Sequence, residues 1–334
     1  MRDVTLAAAA YVSDGDPDAP GAPEDANRLR RMDRFGRAGF LAGTRAFGAS
    51  GAARPAEPDA RAGVAVGTRH GCRSAITEHA ARLAAAARVE DLAPSVFAAT
   101  VHNTVNGELA MALGLGGVSE TIVSGRTAGL EALILGARRV AGGAADRMLV
   151  VAAEGVDEAA REAWEIERSA LGPRAAGVAL VETGAAVLLE ASEIFSKQEG
   201  RARFLEGCLF FEPDVRRAAA RFLEWRNEVV AQGTGGPGPP ATVMLCTPEY
   251  EDFLEEREDF LEGQRVEAPR VERFGAAGLF EIAGDVAQMA RTAPARHSLS
   301  KKSLVSSPSK KIHLYVVRDI TGAVAAAALE SVSL

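Results

Sequence analysis

Residues 119–143 read SETIVSGRTAGLEALILGARRVAGG. The first five of them, 119–123, form a short run with β-branched side chains, which predicts a buried strand. Ser124 and Gly125 predict a sharp turn. From Thr127 onward, apolar residues recur at helical spacing with small residues between them. The stretch therefore predicts an elbow, in which a strand runs through a tight turn into a helix packed through small residues.

Such an elbow places residue 126 at the first turn of the helix, where backbone N–H groups point outward. Enzymes that use this geometry put a serine or cysteine there, because the helix N-terminus stabilises an anionic nucleophile. Residue 126 is arginine here, and a guanidinium stays protonated and cannot attack an acyl group. The alternative interpretation of the pattern is an ordinary strand–helix crossover in an α/β protein.

Composition narrows the class of protein. The chain has 334 residues, 47% hydrophobic and 25% charged, which fits one large α/β domain or two halves sharing a core. The net charge is −7 and no basic patch interleaved with aromatic residues is present, which argues against a nucleic-acid partner. No apolar run approaches the roughly 20 residues of a membrane span, and the N-terminus makes a poor signal peptide.

Cysteine and histidine spacing gives no sign of a metal site. Cys72, Cys208 and Cys246 show no C-x-x-C pattern, and the five histidines show no H-E-x-x-H pattern. Unpaired cysteines fit a reducing, cytoplasmic environment. We therefore expect neither a metal nor another cofactor.

The rest of the chain alternates between strand and helix patterns. We expect strands at 4–12, 63–67, 147–153, 241–246, 312–317 and 324–329, and a strand pair or one kinked strand at 178–190. We expect helices at 28–47, 76–89, from about 106, and at 214–230, 248–264 and 276–290, and a polar, lysine-containing loop at 298–311. This alternation predicts an α/β fold with a mainly parallel sheet covered on both faces.

Four segments, in this order along the chain, resemble motifs of the β-ketoacyl synthases of the thiolase superfamily. They are PSVFAATVHNTVNGELAMALGLGG (94–117), TIVSGRTAGLEAL (121–133), VETGAAVLLE (181–190) and FGAAGLFEIAG (274–284). The resemblance implies a duplicated αβαβα five-layer sandwich that is normally dimeric. It also implies one ketosynthase-like domain over 1–334, with pseudo-duplicated halves at 1–195 and 196–334.

The family condenses acyl units with a cysteine nucleophile, two histidines that help decarboxylate a malonyl unit, and a lysine. The resemblance places Arg126 at the cysteine, Thr247 and Glu272 at the histidines, and Glu267 at the lysine. No group of the condensing machinery is therefore intact. This pattern resembles a chain-length-factor subunit, which pairs with an active ketosynthase and works with an acyl carrier protein in fatty acid or polyketide (aryl-polyene-type) biosynthesis. Known chain-length factors usually place glutamine rather than arginine at the elbow.

Two alternatives stay open. The chain could be an acyl-thioester enzyme of the same fold, an acyltransferase or hydrolase that uses other residues, or a non-catalytic homodimer that binds acyl chains or carrier protein. Cys72 is the one plausible reactive thiol, although a structural cysteine explains it as well. His102 and Asn103 suggest a hydrogen-bonded interface pair rather than a catalytic dyad, and Ser124 has no obvious base.

The resemblance also implies where the chain would dimerise. The strand before the elbow would pair with its counterpart across a two-fold axis, and Phe97, Thr100 and His102 would border the interface. The strand residues concerned are Glu120, Thr121, Ile122 and Val123.

A buried cation needs an anionic partner. In the family fold the elbow residue faces the position of Glu272, so we expect an ion pair between Arg126 and Glu272, with Glu182 as the reserve partner. The alternative is that Arg126 points into solvent or across the dimer.

Overall fold

The structure is a computed structural model. It describes residues 1–13, 23–86, 88, 97–171, 178–193, 202–212, 214–234, 242–245, 266–267, 271–272, 276–292, 309–318 and 323–333. The predicted helix at 248–264 and most of the predicted loop at 298–311 lie outside these residues.

Within this part of the chain, strands and helices alternate as expected. The strands are β1 Val4–Ser13, β2 Ala62–Thr68, β3 Ser119–Val123, β4 Arg147–Glu154, β5 Ala179–Leu180, β6 Thr183–Ala191, β7 Ala202–Phe211, β8 Thr242–Leu245, β9 Val266–Glu267, β10 Val271–Glu272, β11 Ser309–Arg318 and β12 Ala323–Ser333. The helices are α1 Pro23–Leu29, α2 Arg34–Ala49, α3 Arg73–Ala85, α4 Thr104–Leu113, α5 Ala128–Ala141, α6 Glu158–Leu171, α7 Val215–Thr234 and α8 Ala277–Thr292.

Ten of the strands form one sheet in the order β3-β2-β4-β6-β1-β7-β12-β11-β8-β9. The sheet has two halves of the same design, which meet where β1 pairs antiparallel with β7. In the first half, β2 is parallel to both of its neighbours and β6 is antiparallel to both of its own. In the second half, β8 corresponds to β2 and β12 corresponds to β6. The predicted duplicated fold is confirmed. The predicted boundary at 195/196 falls outside the described residues and stays a prediction.

Helices complete the five layers. Helices α5 and α8 lie between the two half-sheets, where Leu133 and Ile282 share one apolar cluster with Val150 of β4 and Val317 of β11. Helices α2 and α4 cover the other face of the first half, and α7 packs on β7 of the second. A Cβ at Gly67 would collide with the backbone of α5, so glycine lets the elbow helix approach β2 closely.

The mainly parallel sheet predicted from the sequence is wrong: the sheet is mixed, because β6 and β12 run antiparallel to their neighbours. Strand–helix alternation does not fix the direction of the last strand in each half. Strand β7 is not among the predicted elements. The pairing of β7 with β12 shifts register opposite Ala328 and Leu329, so the sequence of β7 lacks the simple alternation of buried and exposed residues that predicts a strand.

Three boundaries also differ from the expectations. The helix expected at 28–47 is two helices, because the Asp33 side chain accepts a 2.7 Å hydrogen bond from the Gly36 N–H and caps α2. The segment 178–190 divides into β5, which pairs with β10, and β6, which lies in the main sheet. Residues 309–311, expected in a loop, belong to β11. None of the helices described has the length and apolar character that a membrane span needs.

Candidate functional site

The elbow lies where three neighbouring parallel strands end. Strand β2 ends at Thr68, β3 at Val123 and β4 at Glu154. The carboxyl ends of such strands are where open α/β sheets hold their ligands. The candidate site is therefore built from the loops that leave β2, β3 and β4.

The turn after β3 is fixed by hydrogen bonds. The Ser124 N–H donates to the Thr68 carbonyl at 3.2 Å, and the Ser124 hydroxyl donates to the Glu131 carboxylate at 3.0 Å. The Thr127 hydroxyl donates to the same carboxylate. Helix α5 starts at Ala128 with Thr127 as its N-cap, so Arg126 lies in the turn just before the helix rather than in its first turn. The Glu131 carboxylate therefore stabilises the turn by accepting hydrogen bonds from both hydroxyls.

Arg126 points into the protein, not into solvent, and its residue exposure is 0%. Its Nη2 donates to Glu167 Oε2 at 2.5 Å. Arg69 binds the same carboxylate with both terminal nitrogens, Nη1 reaching Oε2 at 3.1 Å and Nη2 reaching Oε1. The Arg126 guanidinium carbon lies 5.7 Å from the centre of the Trp164 ring. We call these four residues the elbow cluster.

The elbow cluster favours an ionised Glu167. Burial of the side chain opposes ionisation, but hydrogen bonds from Arg69 and the charges of Arg126 and Arg69 outweigh it, so the pKa of Glu167 lies below its ordinary value. A carboxylate held between two guanidiniums serves as an ion-pair partner. It offers no basic group poised to take a proton near neutral pH.

A buried carboxylate also holds the loop after β2. Glu154, fully buried, accepts hydrogen bonds from the Thr68 hydroxyl at 3.1 Å, from the Arg69 N–H, and from the His70 N–H at 3.3 Å. The Gly71 N–H donates to the Thr68 hydroxyl at 2.8 Å, and Gly71 has a φ of +54°, a conformation that favours glycine. The loop that carries Arg69 is thus positioned independently of Glu167.

Sequence reasoning missed Glu167. Helix α6 carries Ala160, Trp164 and Glu167 on its one buried face, at spacings of four and three residues, a pattern typical of an amphipathic helix. That pattern could have located the helix, but nothing in it identifies Glu167 as the partner of an arginine 41 residues away.

The expected pair of Arg126 and Glu272 stays a prediction. The backbone of Glu272 lies in β10, beside Leu180 of β5, and the structure does not describe its side chain. The reserve partner, Glu182, accepts a 3.2 Å hydrogen bond from Arg34 Nη1. Thr247 lies outside the described residues, and Glu267 is placed only through its backbone in β9.

The one plausible reactive thiol is buried. Cys72 is 1% exposed, and its Sγ lies 3.6 Å from His102 Nδ1. Burial and the nearby charge of Asp33 raise the pKa of the Cys72 thiol to about 11. A thiol with this pKa holds almost no thiolate at neutral pH, so Cys72 is a poor nucleophile despite its histidine neighbour.

Strand β3, the expected dimer strand, forms an edge of the sheet among the described strands and pairs there with β2. Asn106 Nδ2 donates to the Glu120 carbonyl at 2.6 Å, and Arg139 Nε donates to the Glu120 carboxylate at 3.1 Å. Val123 and Phe97 expose 48% and 61% of their surface. The Thr100 hydroxyl donates to the Phe97 carbonyl at 2.8 Å. An exposed edge with apolar side chains leaves the predicted interface available.

Metal-ligating residues do not cluster in the part of the chain that the structure describes: no group of three or more His, Cys, Asp or Glu side chains could hold an ion there.

Comparison with known proteins places the chain in a family. Residues 7–193, more than half of the chain, match the family model "Beta-ketoacyl synthase, N-terminal domain". No curated protein sequence matches the chain.

Solved structures share the fold. The AntDE:AntF complex, in which a type II PKS acyl-carrier protein is bound to its ketosynthase with the hexaketide, matches with a TM-score of 0.75 and 18% identity, over 99% of this chain and 100% of that one. The ishigamide ketosynthase/chain length factor matches with a TM-score of 0.71 and 21% identity, over 98% and 99%. A β-ketoacyl synthase from Burkholderia phymatum STM815 matches with a TM-score of 0.72 and 15% identity, over all of both chains.

The family model covers β1 to β6, the half of the fold that contains the elbow, and the solved structures extend the likeness to the whole chain. The resemblance seen in the sequence motifs is thereby confirmed. The chain belongs to the β-ketoacyl synthase family.

Proposed function

We propose that the chain is a non-condensing ketosynthase-like subunit of the chain-length-factor type, which pairs with an active β-ketoacyl synthase and works with an acyl carrier protein in polyketide or fatty acid biosynthesis. The observation that carries this proposal is Arg126, which stands at the elbow in place of a nucleophile. It is fully buried and bonded to Glu167.

The elbow cluster leaves no route to an acyl-enzyme at that position. A guanidinium stays protonated at any pH at which the protein is folded, so Arg126 has no lone pair to offer a thioester. The neighbouring hydroxyls of Ser124 and Thr127 both donate to Glu131, a residue of α5 itself. The positions that the family resemblance assigns to the two histidines and the lysine carry Thr247, Glu272 and Glu267.

The second candidate function is an acyl-thioester enzyme that uses other residues, and Cys72 is its candidate nucleophile. The 3.6 Å contact between Cys72 Sγ and His102 Nδ1 is the observation in its favour. Burial opposes it, since a thiol that is 1% exposed and has a pKa of about 11 is neither accessible nor ionised. The proposal of a non-condensing subunit therefore takes precedence.

The structural relatives support the proposed partners. One of them is a ketosynthase in complex with an acyl-carrier protein, and another is a ketosynthase/chain length factor. Strand β3, at the edge of the sheet among the described strands, supports pairing with a second ketosynthase-like chain, either an active partner or another copy of this one. The third candidate, a non-catalytic homodimer that binds acyl chains or carrier protein, uses the same edge.

A condensation assay tests the first part of the proposal. Purified chain is incubated with acyl- and malonyl-carrier protein, and we expect no product above the blank. Mass spectrometry of the same samples should find no acyl adduct on Cys72. Arg126→Cys should not restore condensation, because no histidine stands at positions 247 or 272. Condensation by the unmodified chain, or an acylated Cys72, contradicts the proposal.

The proposal predicts that an intact ketosynthase is encoded beside this chain, and co-expression of the two, followed by gel filtration, tests the second part. We expect a stable heterodimer that condenses with carrier protein, and self-association of this chain alone would favour the homodimer. The parallel pairing with β2 turns the Ser124 N–H, and with it the N–H groups of residues 120 and 122, toward β2, so the Thr121 N–H faces the outer edge. Thr121→Pro removes this donor and should weaken association, whereas the matched control Thr121→Val keeps the N–H and should leave association intact. A folded Thr121→Pro variant with unchanged association places the interface elsewhere.

A further inference from the structure

We propose that Arg69 and Arg126 form a carboxylate-binding site at the elbow, and that Glu167 occupies this site as an internal ligand. Three N–H donors converge on the Glu167 carboxylate: Arg69 Nη1 and Nη2 on its two oxygens and Arg126 Nη2 on Oε2. A fork of guanidinium N–H groups matches the spacing of carboxylate oxygens and binds them bidentately.

The donors belong to the rigid part of the molecule. Arg69 follows β2, and its own N–H donates to the fully buried Glu154 at the end of β4. Arg126 lies between β3 and α5, in the turn that Glu131 fixes through Ser124 and Thr127. Both guanidiniums are therefore set by the ends of adjacent parallel strands, the position at which α/β sheets bind their ligands.

The acceptor belongs to an element with a much smaller apolar contact. Among the described residues of α6, three are buried: Ala160, Trp164 and Glu167. Ala160 and Trp164 form a separate small cluster with Leu171, Val178 and Leu180, apart from the two large clusters of the sheet. Ile166 exposes 73% of its surface.

Ion pairs supply much of the contact between α6 and the rest of the protein. Asp157, which caps α6 by accepting a 2.7 Å hydrogen bond from the Ala160 N–H, accepts another 2.7 Å bond from Arg73 Nη2. Among the described residues, Glu167 adds its ion pairs to Arg69 and Arg126, and Trp164 lies beside the Arg126 guanidinium. The two arginines are positioned by Glu154 and by the turn at Glu131, so they keep their places when the Glu167 side chain is removed.

A small carboxylate is the class of ligand that the site fits. Glu167 presents a planar group with two oxygens, and the flat ring of Trp164 lies beside Arg126. A free carboxylate of the same shape would take its place where the Glu167 side chain is absent. This inference goes beyond the proposed function and does not depend on it, because the site is complete within one chain.

Formate is the probe. In Glu167→Ala the internal carboxylate is gone, and formate should fill its place and stabilise the folded state by mass action. We expect sodium formate, compared with sodium chloride at equal ionic strength, to raise the unfolding temperature of Glu167→Ala by about 2 °C or more beyond its effect on the wild-type chain. Arg126→Met in the Glu167→Ala background should abolish this difference.

Glu165→Ala is the matched control. Glu165 lies on the exposed side of α6 and pairs with Arg168 at 2.5 Å, so its loss removes a carboxylate from the same helix without opening the site. Formate should act on this variant as on the wild type. An equal formate response in Glu167→Ala, Glu165→Ala and the wild type overturns the proposal. Sodium sulfate stabilises folded proteins in general, so the proposal is also overturned if the sulfate effect on Glu167→Ala exceeds that on the wild type by as much as the formate effect does.

Refolding yield gives a second measurement should Glu167→Ala not fold in chloride. The variant is diluted from urea into formate or chloride, and the folded fraction is measured by gel filtration. Recovery in formate alone supports the site, whereas equal recovery in both salts, or none in either, overturns it. Neither measurement involves a partner chain, so its outcome is separate from that of the heterodimer test.

Discussion

In the part of the chain that the structure describes, one carboxylate is held between two arginines in two places, inside the elbow and near the surface. In the elbow cluster, Glu167 lies between Arg69 and Arg126, and the side chains of Arg126 and Glu167 are 0% and 10% exposed. Near the surface, Asp146 lies between Arg2 and Arg61, with Asp146 and Arg61 30% and 45% exposed. We call the second group the outer cluster. Its distances, 2.8 Å from Arg2 and 2.5 Å from Arg61, match those of the elbow.

The comparison shows that burial, not geometry, decides what such a motif contributes. Hydrogen bonds from Arg61 and Arg2 lower the pKa of Asp146 to about 2. Water screens that pair, however, and exposed ion pairs stabilise proteins by only about 0–1 kcal/mol. In the elbow, removing one charge leaves its partners in a dry environment, which costs far more. The elbow cluster therefore constrains the fold around the elbow, whereas the outer cluster mainly adds an electrostatic contact between the N-terminus and the loops before β2 and β4.

Isosteric neutral substitutions test this comparison most directly. We expect Glu167→Gln to lower the free energy of unfolding by about 3 kcal/mol, because it removes the charge that balances the fully buried Arg126 guanidinium and the partly buried one of Arg69. Asp146→Asn should lower it by about 1 kcal/mol or less. Urea unfolding of both variants beside the wild type gives the two values. Similar losses in the two variants would mean that burial does not separate the clusters.

The two clusters also mark what the sequence could predict. The segment 119–143 identified the elbow and Arg126, since a strand, a turn and a small-residue helix follow one another in local sequence. The local pattern could not supply Glu167, because its contact with Arg126 depends on how α6 folds back over the end of the sheet. For the same reason the antiparallel direction of β6, set by its pairing with β1 and β4, escaped prediction. Local residue spacing predicts helices and strands, whereas long-range pairing decides which residues contact each other and in which direction each strand runs.

A double-mutant cycle measures the elbow pair itself. Arg126→Ala and Glu167→Ala, singly and together, should show a coupling free energy of about 2 kcal/mol, since the two side chains touch in a buried site. The same cycle with Glu272→Ala tests the partner expected from the family resemblance. The cycle of Arg61→Ala and Asp146→Ala should give about 0.5 kcal/mol. If Arg126 shows no coupling to either glutamate, the elbow ion pair does not contribute to stability.

Acid should affect the two clusters in different pH windows. The pKa of Glu167 lies below its ordinary 4.5, so its contribution is complete above about pH 4.5 and is lost as the pH falls through the folded-state value. Asp146, whose pKa falls from 3.8 to about 2, begins to lose its contribution only below about pH 4 and has lost most of it by about pH 2. Urea unfolding over this range should show the gap between wild type and Glu167→Gln narrowing below pH 4.5, and the gap to Asp146→Asn narrowing only below about pH 4.

Added salt should produce the smallest effect on stability. It should act differently on the two clusters, because the outer cluster is more exposed to water than the elbow cluster. At 1 M salt the Debye length is about 3 Å, so charges in contact with water are screened while buried ones are largely protected. The difference in unfolding free energy between wild type and Asp146→Asn should therefore shrink toward zero as sodium chloride rises. The difference between wild type and Glu167→Gln should persist, because Arg126 is fully buried. If salt reduced both differences equally, water would have to reach the elbow cluster, and burial would not distinguish it from the outer cluster.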